Sequence, residues 1–546
     1  MLFSKISRLA SCLILGAVIS AFAQKNVQGF SAETYTKYVK AIASDELLGR
    51  MPFSAGESKT IQYLEQQFKA LGLEPGNKGS YLQEVPMVAI SCSPKSGMNV
   101  TTPNSSFNLE GFKDYVIWTR RTDAIIDLKS DEVVFAGFGI TAPEFNHDDY
   151  AGLDVKGKVV VVLVNDPGYY DAKQFKGKTM TYYGRWTYKY DEAARHGAKG
   201  CLIIHDTAPA AYNFSVVQNS WKTTKLYLDS RGKETYKCAV EGWLTLPATE
   251  QLLQTSGTNY KTLLANALKS DFKAIPLPLK LNTGINVWAT YKKSHNVVAK
   301  ISGTQKADEC IVYSAHWDHF GVSKPDAKGD SIYNGAVDNA SGTAALLELA
   351  RVFKQNKVKP ARSIVFLSVT AEEQGLWGSA WYAENPVFPK EKTVADINMD
   401  MFYPYGKTKD IGLVGFGQSE LEDYLKEEAV KQGRYIAPEA DASKGMYFRS
   451  DHFNFAKVGI PALYTESGVD LIGKGKEVGL KMHNDYTANT YHKPSDEVTA
   501  NWDVSGTIQD LELLYAVGKK LSYSTTLWPK WKVGSEFKAI REHYKK

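Results

Sequence analysis

Three apolar runs in this chain end on residues that bind metals or move protons. Cys310 to Ala315 (CIVYSA) runs into His316-Trp317-Asp318-His319, and Ser363 to Val369 (SIVFLSV) into Thr370-Ala371-Glu372-Glu373. Val394 to Met399 (VADINM) runs into Asp400. Two further pieces carry matching chemistry. Gly335 to Gly342 (GAVDNASG) sets Asp338 just ahead of an apolar helical stretch, and Tyr491-His492-Lys493-Pro494 sets a histidine in a proline-held loop. Singly, each has an ordinary explanation: an acid at a helix start is a cap, a lone histidine sits in core or surface, and paired glutamates face solvent. Jointly, two histidines and three carboxylates delivered to strand ends are not accounted for by solubility. Imidazole and carboxylate ligands without thiolate suit Zn²⁺, and also Mn²⁺ or Co²⁺. Five ligands, one of them able to bridge, imply two metals rather than one.

Such convergence needs a sheet, because ligands of open α/β sheets bind at the carboxyl ends of the strands. From about Phe272 the pattern supplies one: apolar strands alternate with longer helical stretches, the rhythm of a sheet with helices on both faces. The stretch from Ser31 to Leu73 reads as helical. Tyr35, Tyr38, Val39 and Ile42 share one face, Ile61, Leu64, Phe68 and Leu71 another, and Gly72 with Pro75-Gly76 stops the second helix. A strand-rich stretch follows to about residue 128. Residues 129–271 read as a separate unit, with strands at Val133 to Ile140, Val159 to Val164 and Cys201 to Ile204, and a helix over Asp191 to His196. The predicted C-terminal helix, Val504 to Leu521, precedes Trp528-Pro529-Lys530-Trp531, read as a packing segment or a partner surface.

The composition agrees with a multidomain globular protein of 546 residues, with 43% hydrophobic and 23% charged residues. Disordered, collagen-like and disulfide-dense miniature classes are excluded. With 65 basic and 60 acidic residues the net charge is +5, and no run of five Lys/Arg occurs, so nucleic acid is not an expected partner. Lys5, Arg8, an apolar stretch from Leu9 and Ala21-Phe22-Ala23 form an export signal over residues 1–23, implying a secreted or periplasmic protein. No other apolar run approaches the length of a membrane span. Leu9 to Cys12 has a lipobox form, but its apolar part follows the cysteine, the wrong order for a lipoprotein. Cys92, Cys201, Cys238 and Cys310 show no CxxC spacing, and both core thiols and any disulfide pairing stay open.

The motifs together resemble one family, the exported bacterial dizinc aminopeptidases of metallopeptidase family 28. They are HWDHFG (His316–Gly321), YNGAVDNASG (Tyr333–Gly342), TAEEQGLWGS (Thr370–Ser379), INMDM (Ile397–Met401), SDHFNF (Ser450–Phe455) and YHKPSDEV (Tyr491–Val498). ASDELLGRMPFSAGE (Ala43–Glu57) resembles the family's bacterial members, and the stretch beginning VFAGFGITAPEFNHDDY resembles an inserted protease-associated domain. The resemblance implies an α/β fold whose mixed, mostly parallel sheet is sandwiched by helices, with a β-rich α+β protease-associated domain inserted. Its domains would be residues 24–128 with 272–546, forming a discontinuous catalytic domain, and 129–271.

By the same resemblance, His316, Asp338 and Asp400 hold one zinc, and Asp338, Glu373 and His492 the other. Glu372 is the general base, Asp318 receives the other N–H of His316, and Tyr491 donates to the oxyanion. His319 and His452 lie in motifs but not at ligand positions, and His319 reads as structural or pocket-lining. The implied reaction is hydrolysis of the first peptide bond of a peptide by metal-activated water. Three alternatives differ in chemistry: a single-zinc glutaminyl cyclase, a carboxypeptidase or dipeptidase using the same metals, and a binding protein that has lost catalysis. The complete ligand set with Glu372 argues against the first and third.

Overall fold

A computed structural model describes residues 29–544, apart from 96, 131 and 234–235. The expected export signal and Cys12 lie outside the described residues. The main element is a 13-stranded mixed sheet. Its path uses β1 (Leu82–Pro94), β2 (Lys280–Ile301), β3 (Lys306–His316), β4 (Arg362–Val369), β5 (Thr393–Asn398), β6 (Asp410–Val414) and β7 (Ala462–Ser467). They lie in the order β1-β2-β4-β3-β5-β7-β6, with Lys225–Leu228 outside β1 and Tyr435–Pro438 outside β6. Pairing is parallel for β4/β3, β3/β5 and β5/β7. It is antiparallel for β1/β2, β2/β4 and β6/β7. Parallel pairing is thus concentrated at the centre of the sheet, and β1 with β2 carries it outward as an antiparallel ribbon.

The centre is apolar because it is covered on both faces. Along β3, Ile311, Tyr313 and Ala315 enter one core and Cys310 and Val312 the other, the period-two alternation of a strand. The first core packs against α1 (Ala32–Ile42), α2 (Ala55–Ala70), α3 (Ser341–Gln355) and α4 (Ser505–Ser522). The second packs against helices Trp377–Glu384 and His452–Lys457 through Tyr382, Ala383 and Phe455. Burying each such aliphatic or aromatic side chain stabilises the fold by about 1.5–3 kcal/mol.

Tyr35, Tyr38, Val39 and Ile42 are buried on α1, and Ile61, Leu64 and Phe68 on α2, as their spacing requires. Between these helices the chain is not regular. Leu48, Gly49, Arg50 and Phe53 all have positive φ. This bend lays Gly49 against the loops beyond β3, where an added Cβ would meet the Gly321 carbonyl oxygen at 2.4 Å.

A second, six-stranded sheet runs in the order Ile275–Leu277, Val133–Phe135, Val159–Leu163, Gly200–His205, Val240–Thr245, Tyr115–Trp118. It therefore reaches one strand beyond residues 129–271 at each end. In the other direction, Ile125–Ser130 and Lys225–Leu228 pair with strands of the large sheet. Local patterns mark strands but not which sheet an edge strand joins, so these boundaries are set by pairing. The strand expected over Val133 to Ile140 stops at Phe135, because Gly137 and Gly139 take positive φ and Asp149 accepts from the amides of Phe138 and Ile140. Cys92, Cys201, Cys238 and Cys310 are free thiols. Trp531 is buried and donates to the Gly459 carbonyl at 2.9 Å, so it serves packing. Among the described residues, no helix is long and apolar enough to cross a membrane.

Candidate metal centre

Because β4, β3 and β5 are parallel neighbours, their last residues emerge side by side. His316 ends β3 opposite Val369, and Ser314 lies opposite Asn398. The three strands thus deliver His316, the Thr370–Glu373 loop and Asp400 to one edge. Asp338 comes from the irregular turn Ala336–Ala340 that enters α3. His492, at φ +57, follows the helix Lys476–Asn489.

Asp338 joins the two halves of the cluster. Its Oδ1 is 3.3 Å from His316 Nε2, which is also 3.3 Å from Asp400 Oδ1. Its Oδ2 is 3.0 Å from His492 Nε2, which in turn is 3.3 Å from Glu373 Oε2. The five residues expected as ligands are therefore brought together around Asp338. Donor atoms of His316, Asp338 and Asp400 lie within 4.8 Å of one another. So do those of His319, Asp338 and Glu373.

His319, read as structural or pocket-lining, lies against the expected ligands Asp338 and Glu373. Its Nδ1 is 2.6 Å from Glu373 Oε1, its ring is buried, and among the described residues its Nε2 has no hydrogen-bond partner. The signal for it was the second histidine of HWDHFG. Ser450, of SDHFNF, was also missed as an individual: its hydroxyl donates to Asp400 Oδ2 at 2.6 Å and accepts from Asn398 Nδ2 at 2.7 Å. This fixes the Asp400 carboxylate from behind.

Asp318 differs from its expected role. His316 Nδ1 is 3.1 Å from the Asp318 backbone carbonyl and 3.8 Å from its carboxylate. The backbone therefore sets the imidazole tautomer. The carboxylate instead accepts the Glu372 backbone N–H at 3.0 Å, anchoring the loop that carries Glu372 and Glu373. Main-chain geometry in a two-residue loop decides this, and residue type does not reveal it. Glu372 Oε2 lies 3.9 Å from His316 Nε2, with its side chain 10% exposed. Tyr491 stacks on the His492 ring at 3.7 Å between centroids. Its hydroxyl is held well above its usual range by burial and then by Asp338, Glu373, Glu372 and Asp400.

The electrostatics are those of an acidic hollow. Burial pushes Glu372 and Glu373 up, and neighbouring carboxylates add to it, Asp400 foremost for Glu372 and Asp338 for Glu373. Asp338 is the exception: burial would raise it, but hydrogen bonds from His316 and His492 hold it well below the usual range. Burial raises Asp318 to about 6. Among the described residues, no lysine or arginine forms an ion pair with Asp338, Glu372, Glu373 or Asp400, whose charged partners are imidazoles. Buried carboxylates are stable only when paired or on a metal. This donor set, oxygen and nitrogen around a shared carboxylate, fits two divalent cations.

Residues 296–516 match the family model described as peptidase family M28. Over 168 residues the chain is 32% identical to "Aminopeptidase NAALADL1" of Mus musculus, covering 28% of this chain and 21% of that protein. Over 319 residues it is 27% identical to "Glutamate carboxypeptidase 2 homolog" of Caenorhabditis elegans, covering 50% and 37%. It is 42% identical over 92 residues to "Probable zinc metalloprotease" of Pyricularia oryzae, covering 17% and 18%. The matched region thus spans less than two fifths of the length of each of these relatives. Among solved structures, the aminopeptidase from Aneurinibacillus sp. strain AM-1 aligns with TM-score 0.48 and 18% identity, covering 91% of this chain and 95% of that one. The zinc aminopeptidase BSAP from Bacillus subtilis aligns with TM-score 0.44 and 17% identity, over 91% and 96%.

Proposed function

We propose that this chain is a zinc-dependent aminopeptidase that removes the N-terminal residue from peptides. His316, Asp338 and Asp400 would hold one zinc, and Asp338, Glu373 and His492 the other. The observation that carries the reading is the Asp338 carboxylate, whose two oxygens face two separate sets of ligands at 3.3 and 3.0 Å. The zinc in the printed names of a curated relative and a structural neighbour supports the choice of metal. When bound, zinc supplies Lewis acidity, polarising a peptide carbonyl and making water a stronger acid.

The chain's own residues do the rest. Glu372 sits beside His316 with its loop fixed by Asp318, and its raised proton affinity suits a general base. It takes a proton from the attacking water and passes it to the leaving amine. Tyr491 donates to the developing oxyanion. The substrate's ammonium group is held by the acidic rim. The six-stranded unit, resembling a protease-associated domain, limits access for long peptides, and residues 1–23 direct the chain out of the cytoplasm to the periplasm or medium.

The test pairs metal quantification with a panel of aminoacyl chromogenic substrates and peptides with free or acetylated amines. Two zinc per chain and cleavage of only the free-amine peptides are expected. The second reading, a carboxypeptidase, is favoured by the C. elegans match, the broadest of the three reported above. Release of the C-terminal residue from the acetylated peptide would replace the first reading with it.

A further inference from the structure

Asp338 is held through its main chain by two buried side chains of opposite charge that the catalytic reading leaves unused. Arg50 is 1% exposed. Its guanidinium donates to four carbonyl oxygens: Trp317 at 2.8 Å, Ile42 at 2.8 Å, Asn334 at 2.5 Å and Gly335 at 3.0 Å. Among the described residues it forms no ion pair. Asp496, also 1% exposed, does the converse. Its Oδ1 accepts the Val337 N–H at 3.1 Å, and its Oδ2 accepts the Asp338 N–H at 3.1 Å and the Tyr486 hydroxyl at 3.0 Å. Its main-chain carbonyl takes the Ala336 N–H at 3.0 Å.

The five-residue stretch Asn334–Asp338 is therefore gripped from both sides, its carbonyls by a cation and its amides by an anion. A turn this short has no helix or sheet ladder of its own to fix it, so these groups decide where the Asp338 carboxylate points. Arg50 also ties Trp317, next to His316, to the same turn, which sets His316 and Asp338 relative to each other. Burying a guanidinium without a contacting carboxylate is costly. Its four carbonyls and the field of Asp318, Asp496, Asp338 and Glu373 offset part of that cost.

We infer that Arg50 and Asp496 are positioning residues that form a charge clamp on the Asp338 turn. The N-terminal segment Ala43–Glu57, outside the 296–516 region that matches the family, is then an integral part of the metal centre. The inference rests on Asp338 being a shared metal ligand.

The experiment uses the full chain with Arg50→Lys, Asp496→Asn and the double variant, each loaded with Co²⁺ after chelation. Lysine keeps the charge but cannot serve four carbonyls from one ammonium. Asparagine keeps the shape of Asp496 but turns an amide N–H₂ toward backbone N–H groups. Folding is followed by circular dichroism, metal by competition with a chelator, site geometry by the visible Co²⁺ spectrum, and turnover by kcat and KM. Each folded variant should bind Co²⁺ about 10–100-fold more weakly, as for other groups that orient ligands. Each should also show an altered spectrum and a reduced kcat at little-changed KM. The double variant should be little worse than the worse single one, since both hold one turn. If Arg50→Lys does not fold, Asp496→Asn carries the same test. Wild-type affinity, spectrum and kcat in variants that are merely less heat-stable would overturn the clamp. A wild-type chain that takes up no Co²⁺ would overturn the metal reading and the clamp with it.

Discussion

At the scale of single residues, the proposed function separates groups that would hold metal from one that would move a proton. Glu372 and Glu373 are adjacent in sequence, yet Glu373 faces His492 and His319 at 3.3 and 2.6 Å, while the charged partner of the Glu372 carboxylate among the described residues is His316, at 3.9 Å. Glu372→Ala should therefore leave metal content unchanged and lower kcat by roughly 10²–10⁴, measured with a chromogenic substrate alongside metal analysis. Near-wild-type turnover would remove Glu372 as the base. Ser450 makes a contrasting case, since its hydroxyl hydrogen-bonds Asp400 and Asn398. Ser450→Ala should weaken metal binding about 10–100-fold by freeing the Asp400 carboxylate, read by chelator competition. Unchanged affinity would mean that β5 alone fixes Asp400.

At the scale of elements, what was legible depended on whether a residue's role is set by type or by backbone path. His316, Asp338, Glu373, Asp400 and His492 could be picked out as candidates because few residue types ligate metals, and because the first four follow apolar runs or precede a helix while His492 sits in a proline-held loop. The backbone roles could not. Asp318 anchors the Glu372 amide rather than His316, and Arg50 reaches Gly335 across 285 residues of sequence, neither of which any local pattern records. Gly335 is similar: its φ of +52 and the 2.6 Å approach of a notional Cβ to the His319 ring explain the glycine only once the turn is seen. The central strands were readable as continuous apolar runs because both faces are covered. Edge strands such as Lys225–Leu228 were not, since their pairing crosses between units. One strand also carries a pH signature. On β7, burial first and then Glu439 and Asp400 raise Glu466 to about 7 from the usual 4.5. Across that interval the folded chain keeps a proton that the unfolded chain releases, so this residue's contribution to stability falls as pH rises. Glu466→Gln removes the dependence. In chelator-treated protein its thermal midpoint should exceed wild type by more at about pH 8 than at about pH 5, and equal gaps would refute the assignment.

At the scale of the whole molecule, the question is whether the six-stranded unit is an independent attachment. The pairing argues against independence. Lys225–Leu228, from within that unit's sequence, hydrogen-bonds along β1, and Ile125–Ser130 lies along β2. Leu226 then enters a small buried cluster with Val85, Met87 and Ala371, the residue immediately before Glu372. Tyr227 meets Trp377 at 5.6 Å between ring centroids, on the helix that follows the same loop. The catalytic loop is thus packed partly by side chains from the second unit, and neither can open without exposing that cluster. The two sheets should therefore unfold as one cooperative body. Tryptophans occur in both, Trp243 in the six-stranded sheet and Trp317 beside His316, so near-ultraviolet and far-ultraviolet dichroism should give coincident thermal transitions that chelation shifts together. Leu226→Ala, which opens a cavity costing about 2–5 kcal/mol, should lower the single midpoint and reduce kcat while metal stoichiometry stays at the wild-type value. Two resolved transitions, of which chelation moves only one, would show instead that the second unit folds alone and that its packing on Ala371 plays no part in holding Glu372.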